Sequence, residues 1–188
     1  MTLKYLQRPD WSSFKIEGKL VELRPINLSY AQEIYDEFSS AVTTYMVPSA
    51  PKMIEETQVF IRHSMEEMHA GTDVVCVVLD LATKEFLGCC GLHGKRNPKG
   101  PEFGIWLKQS AQGGGYGKDA IRTLGEWAER NLKLDLFVYP VDRANVPSRK
   151  LAESFGGEII DERPTRRMNG DWLDTIFYQI PRAAFEAN

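Results

Sequence analysis

A mixed α/β (α+β) domain, with one largely antiparallel central sheet of about seven strands flanked by about four helices, is the fold class this sequence predicts. Three observations point to it. Apolar spacing switches along the chain between the two-residue period of strands and the 3.6-residue period of helices. Several strand-like runs follow one another without an intervening helix, which favours antiparallel pairing over βαβ winding. The 188 residues are 43% hydrophobic and 26% charged, enough apolar surface for one covered core.

In chain order, residues 1–18 are polar and aromatic without periodicity and read as an N-terminal arm; the domain is expected over 19–182, with 183–188 as a tail. Lys19–Ile26 alternates as a strand until Pro25 stops it. Ser29–Ser39 places Ala31, Ile34, Tyr35 and Phe38 on one helical face, with Ser29 as the expected N-cap. After a loop at Pro48 and Pro51, Ile54–His69 repeats Thr57, Ile61, Ser64, Met65 and Met68 at helical spacing and ends at Gly71. VVCVVLD and FLGCCGL, joined by Leu81–Glu85, read as a hairpin in which neighbouring Cys89 and Cys90 face opposite sides.

GKRNPKG is a loop, and Glu102–Lys108 is the next strand. A glycine run leads into a helix over about Lys118–Asn131, with Ala120, Ile121, Leu124, Trp127 and Ala128 inward. LDLFVYPV is dense in β-formers. Asn145 opens a short helix that turns Ser148, Leu151, Ala152 and Phe155 inward, and Gly156-Gly157 ends it. GEIIDER and DTIFYQIP close the chain as strands around an Asn169-Gly170 turn.

Charge and composition narrow the function classes. With 23 Lys plus Arg against 26 Asp plus Glu, the net charge of −3 gives no overall attraction to nucleic acid or an anionic membrane. No stretch approaches 18 apolar residues, and MTLKYLQRPDW lacks the apolar centre of a signal peptide, so a cytoplasmic location is expected. Cys76, Cys89 and Cys90 form no C-x-x-C pair, and His63, His69 and His93 stand apart, so no metal site is expected. The last hairpin and an aromatic such as Trp172 leave a homodimer open.

The chemistry-bearing stretch is QGGGYGKDA, Gln112–Ala120, between a strand and a helix. Such a turn offers unpaired N–H groups and the positive end of a helix dipole, which suit a pyrophosphate. A Walker A loop fails at Gln112 and Asp119, and the lost hydroxyl would be the magnesium ligand. A G-x-G-x-x-G fingerprint fails at Lys118. The pattern Q/R-x-x-G-x-G/A is matched by Gln112, Gly115 and Gly117.

That last pattern resembles the acetyl-CoA pyrophosphate loop of the GNAT N-acetyltransferase superfamily. VYPVDRANVPSRKLAESFGGEI is similar to the strand and helix that follow the loop there. NGDWLDTIFYQI and LVELRPI resemble the last hairpin and first strand of the branch containing ribosomal-protein N-terminal (alanine/serine) acetyltransferases. The resemblance spans about residues 19–182. It implies acetyl transfer from acetyl-CoA to a primary amine, on a protein N-terminus or a small molecule. The strand backbone of Ile105, Trp106 and Leu107 would hold the pantetheine arm. Gln112, Gly113, Gly114, Gly115, Tyr116, Gly117 and Lys118 would hold the pyrophosphate, and Lys108 would add charge.

On the same resemblance Glu102 is the general base, with His93 or an ordered water as alternatives. Ser148 protonates the departing thiolate, because the place one turn later, where some relatives carry tyrosine, is Ala152 here. Asn145 is a cofactor contact, a helix N-cap, or both. Arg163, Arg166 and Arg167 lie beside the expected acceptor mouth. The rival reading is a catalytically silent acyl-CoA-binding module, which thioester cleavage with a panel of amines distinguishes.

Overall fold

The computed structural model describes residues 2–97 and 99–186. Residue 1 of the expected arm, Pro98 of the GKRNPKG loop and residues 187–188 of the tail lie outside the described residues. The elements are β1 (Ile16–Glu17), β2 (Val21–Pro25), α1 (Ala31–Glu37), α2 (Ile54–Ala70), β3 (Asp73–Asp80), β4 (Phe86–His93), β5 (Glu102–Leu107), α3 (Tyr116–Asn131), β6 (Leu136–Asp142), α4 (Val146–Glu153), β7 (Glu158–Arg166) and β8 (Trp172–Pro181). One eight-stranded sheet runs β1-β2-β3-β4-β5-β6-β8-β7. Its extra strand, β1, has two residues, Ile16 and Glu17, paired with Leu23 and Glu22. That is too short to leave a two-residue period in the sequence.

Alternation along the strands gives the sheet two apolar faces. On one, Ile121, Leu124 and Ala128 of α3 and Ala152 of α4 pack against Cys90, Phe103, Phe137 and Tyr139. On the other, Ile34 of α1 and Ile61 and Met68 of α2 pack against Val75, Val77 and Cys89. Cys89 and Cys90 therefore sit in different cores, as strand geometry requires. Among the described residues no helix is long and apolar enough to cross a membrane.

Local signals decided most boundaries. Gly71 ends α2 in the left-handed conformation, φ 78°. At α1 the expected cap moves: Asn27, not Ser29, is the capping side chain, accepting the Ser29 N–H at 2.9 Å and opening a single 3₁₀ turn that runs into α1. The chain ends are also more integrated than their composition implies. Leu3 is buried, Tyr5 bridges to Leu132, and Phe14 meets Trp127 edge-on at 5.3 Å. Phe185, read as tail, is 1% exposed and lies 4.9 Å from Phe137 and 5.1 Å from Phe155 between ring centroids. Gly125 makes room for it, since a Cβ there would fall 2.4 Å from the Phe185 ring. The packed domain therefore starts near Leu3 and runs through Phe185.

Every neighbouring strand pair is antiparallel except β5–β6, which the crossover helix α3 makes parallel. That pair has one point of register, Glu102 with Val138. Beyond it β6 stays with β8, from Leu136–Pro181 to Asp142–Thr175, while β5 stays with β4. The sheet forks between β5 and β6, and the fork positions the site.

Candidate active site

The Lys108 N–H donates to Leu87 O of β4 at 2.8 Å, which sets the phase of β5. Main-chain groups of alternate residues point to alternate edges of a strand. Trp106 therefore turns its main chain to β4, whereas Ile105 and Leu107 turn theirs into the fork. The Trp106 indole lies on the α1/α2 face, 4.8 Å from Phe38 and 5.9 Å from Phe86 between centroids. Of the three residues expected to offer backbone, two face the gap. The Leu107 carbonyl is taken by Gln112 Nε2 at 3.0 Å, which explains a glutamine at the head of the loop.

After Gln112 the chain turns through Gly113 and Gly115 with φ 83° and 85°, a region that costs an L-residue about 1–2 kcal/mol. The first bond of α3 is Asp119 N–H to Gly115 O at 3.1 Å. The six N–H groups from Gly113 to Lys118 donate to no acceptor among the described residues. They converge with the positive end of the α3 dipole, a combination suited to a phosphate or pyrophosphate. Gly117 faces apolar side chains: a Cβ there would lie 3.6 Å from Leu107 Cδ1, 3.8 Å from Ile105 Cδ1 and 4.0 Å from Leu151 Cδ2 of α4.

Two side chains fix the loop, and sequence reasoning gave neither that role. Asp119, buried, accepts the N–H groups of Leu20 and Val21 at 2.7 and 3.1 Å, so it pins the start of α3 to β2. Read in sequence, it was only the residue that spoiled a Walker motif. The Tyr116 hydroxyl donates to Asp80 at 2.9 Å, which raises the phenol's pKa and helps hold the carboxyl below its usual range, after the Thr83 N–H. Tyr116 thus offers the loop its main chain only.

The two lysines divide. Lys108 is 8% exposed and ion-paired with Glu85 in the β3–β4 turn, so it is not a free phosphate contact. Lys118 is exposed, with Nζ 5.8 Å from the Phe155 ring centroid.

Asn145 caps α4 by accepting the Ser148 N–H at 3.3 Å, as its spacing predicts. Ser148 Oγ is 3.0 Å from the Tyr139 hydroxyl. Tyr139 was not among the expected site residues; a strand–helix contact leaves no periodic trace.

On the opposite face, Asp73, His93 and Glu102 are in register across β3, β4 and β5. His93 Nδ1 meets Asp73 Oδ2 at 2.7 Å, and Nε2 has no hydrogen-bond partner among the described residues. The paired glycines Gly91 and Gly104 make the room the ring occupies, since a Cβ on Gly104 would fall 3.0 Å from His93 Nε2. Glu102 is partly exposed, and among the described residues its carboxylate meets Arg96 Nη1 at 3.9 Å.

The arginine cluster is dispersed. Arg163 pairs with Asp161 and lies 4.1 Å over the Phe177 ring. Arg167 donates to Met46 O at 3.0 Å and Thr43 O at 2.9 Å, and Met168 N–H donates to Val47 O at 3.0 Å. The β7–β8 hairpin is thereby tied to the connection between α1 and α2.

No curated protein sequence matches the chain. Among solved structures, it is similar to a RimL ribosomal L7/L12 α-N-protein acetyltransferase in complex with coenzyme A, at 19% identity and TM-score 0.80, covering 90% of this chain and 99% of that one. An acetyltransferase from Salmonella typhimurium described as modifying the N-terminal serine of L7/L12 gives 18% identity and TM-score 0.79, covering 89% and 99%. Spermidine N-acetyltransferase from Vibrio cholerae, in complex with CoA and spermine, gives 18% and 0.75, covering 88% and 98%. The Acetyltransferase (GNAT) domain family matches residues 21–158, the span that holds the fork, the glycine loop and the capped helix α4, and the chain belongs to that family.

Proposed function

We propose that the chain is an acetyl-CoA-dependent N-acetyltransferase acting on a primary amine by direct attack on the thioester. The observation that carries this reading is the run of six N–H groups, Gly113 to Lys118, without an acceptor among the described residues, at the mouth of the β5–β6 fork. They match the donors a pyrophosphate needs, and the free edge of Ile105 matches an amide of the pantetheine arm. The apolar side chains of Ile105, Leu107 and Leu151 beside Gly117 would line the methylenes between them. Lys118 and the Asn145 amide are the remaining proposed contacts.

In the reaction the amine nitrogen bonds the acetyl carbon, and the C–S bond breaks with its pair on sulfur. Glu102 takes the proton the nitrogen loses, and Ser148 supplies the one the sulfur gains. A base matters because an amine of pKa near 10.4 costs roughly 4 kcal/mol to deprotonate at neutral pH, against roughly 1 for an α-amine near 7.8. One observation favours a second base: the Asp73 carboxylate orients His93, and an oriented imidazole with a free nitrogen is a recurrent proton acceptor. The neighbours' names span two amine classes, polyamine and protein N-terminus. The deciding test is thioester cleavage with acetyl-CoA against spermidine and peptides with free N-termini. Turnover with one class identifies the acceptor; binding of acetyl-CoA with no turnover on any amine would support the silent module instead.

A further inference from the structure

Tyr139 is the first residue of β6 past Val138, the last point at which β6 is in register with β5, so its side chain stands at the base of the fork. It is 2% exposed, in the core that also holds Phe103 and Phe137. Its hydroxyl has one partner among the described residues, Ser148 Oγ, at 3.0 Å. Which oxygen donates follows from counting protons. Were Ser148 the donor, the phenol proton would be buried without an acceptor, an expensive arrangement. With Tyr139 as donor, every proton has a destination, because the serine hydroxyl can point outward. The Asn145 side chain holds the Ser148 main chain from below.

We infer that Tyr139 is a positioning residue that works through Ser148: it donates to Ser148 Oγ and so directs the serine's own proton into the fork, toward the thioester sulfur. This rests on the reading of Ser148 given above. Burial pushes the phenol up to about 12, so Tyr139 keeps its proton throughout turnover. As the C–N bond forms and the C–S pair moves to sulfur, the sulfur takes the Ser148 proton. The serine regains one through water from the group that deprotonated the amine. Hydrogen bonds in such a chain strengthen one another, so a better donor at Tyr139 makes Ser148 a better donor to sulfur.

The experiment is the single-turnover rate of acetyl transfer from acetyl-CoA to spermidine or an alanyl peptide, whichever the enzyme uses. Tyr139→Phe should slow transfer about 3- to 10-fold, the range of one neutral hydrogen bond, with acetyl-CoA affinity little changed. In a Ser148→Ala background the same substitution should have no effect. Fluorotyrosines at position 139 keep the shape while making the phenol a stronger donor, and the rate should rise with phenol acidity. They also decide the matter if Tyr139→Phe does not fold. Equal losses in both backgrounds, or a rate indifferent to fluorination, would overturn the inference while leaving Ser148 in place. A wild-type rate in Ser148→Ala would remove the Ser148 reading and this inference with it.

Discussion

Gly117→Leu should weaken cofactor binding far more than it weakens the fold, whereas Gly117→Ala, which the Q/R-x-x-G-x-G/A pattern admits, should bind as wild type does. Gly117 is the second residue of α3, where its φ is accessible to any L-residue, and an added methyl would make only ordinary contacts of 3.6–4.0 Å. Alanine in place of glycine in a helix is favourable by about 1 kcal/mol at most, so the folded variant should be at least as stable as wild type. A leucine at the same place would carry three further carbons toward Ile105, Leu107 and Leu151 and the adjacent N–H groups, where the cofactor is proposed to lie. Losing one hydrogen bond to a charged group costs about 1.5–3 kcal/mol, which is about 10- to 150-fold in Kd. Gly115 is the contrasting control. Its φ of 85° should make Gly115→Ala lose about 1–2 kcal/mol of stability, and its Cβ would point at Leu20 rather than at Ile105, Leu107 and Leu151. Urea unfolding and calorimetric titration with acetyl-CoA measure both quantities. A folded Gly117→Leu protein with wild-type affinity would refute the placement of the cofactor beside Gly117.

Further outcomes follow from other parts of the structure. For Glu102→Gln, kcat/KM should fall most at neutral pH for a polyamine or lysine-like acceptor and recover toward the amine's own pKa; for an α-amine the defect should be modest and nearly gone by about pH 9. If His93→Gln shows that profile and Glu102→Gln matches wild type, the base is His93. Phe185→Ala should cost about 3–5 kcal/mol in urea unfolding, because the ring is enclosed by Phe137, Phe155 and Gly125; a loss under 1 kcal/mol would mean the C-terminal turn is dispensable. Burial raises the pKa of Glu22, but hydrogen bonds from Lys84 and Arg24 outweigh it and hold the carboxyl below its usual range. A depressed folded pKa means the stabilisation is present above about pH 4.3 and fades as pH falls through the carboxylate range. Lys84→Met should therefore cost about 1–3 kcal/mol at pH 7 and progressively less toward pH 3; a pH-independent difference would contradict this account.

What was legible in the sequence was what neighbours along the chain determine. The Asn145 cap on Ser148, the left-handed stop at Gly71 and the opposite facing of Cys89 and Cys90 each depend on spacings of one to four residues. The glycine loop belongs to the same class, since its φ angles and free N–H groups are local. What was hidden depends on partners far away. Asp119 reaches residues 98 and 99 positions distant, and nothing around it distinguishes a carboxylate aimed at β2 from one in solvent. Phe185 looks like tail until the α3 glycine that admits it is seen. Ser29 looked a good cap because Asn27 can form the same local turn two residues earlier, and only one of them could win. Lys108 was expected among the phosphates on proximity in sequence; Glu85, brought close by the β3–β4 turn, holds it instead.

The Arg167 strut has a consequence for how such an enzyme changes substrate. The connection between α1 and α2 and the tip of the β7–β8 hairpin come from residues more than a hundred positions apart, yet one guanidinium and one amide fasten them. Neither segment can drift in length or tilt without pulling the other, so the two walls beside the proposed acceptor entrance constitute a single unit of inheritance. Grafting a foreign hairpin onto this scaffold without its matching α1–α2 connection would take the Arg167 guanidinium from the Thr43 and Met46 carbonyls and leave the entrance without a frame. Loop transplants meant to retarget the enzyme should carry both segments together, with an arginine at the tip as the joint that makes them interchangeable.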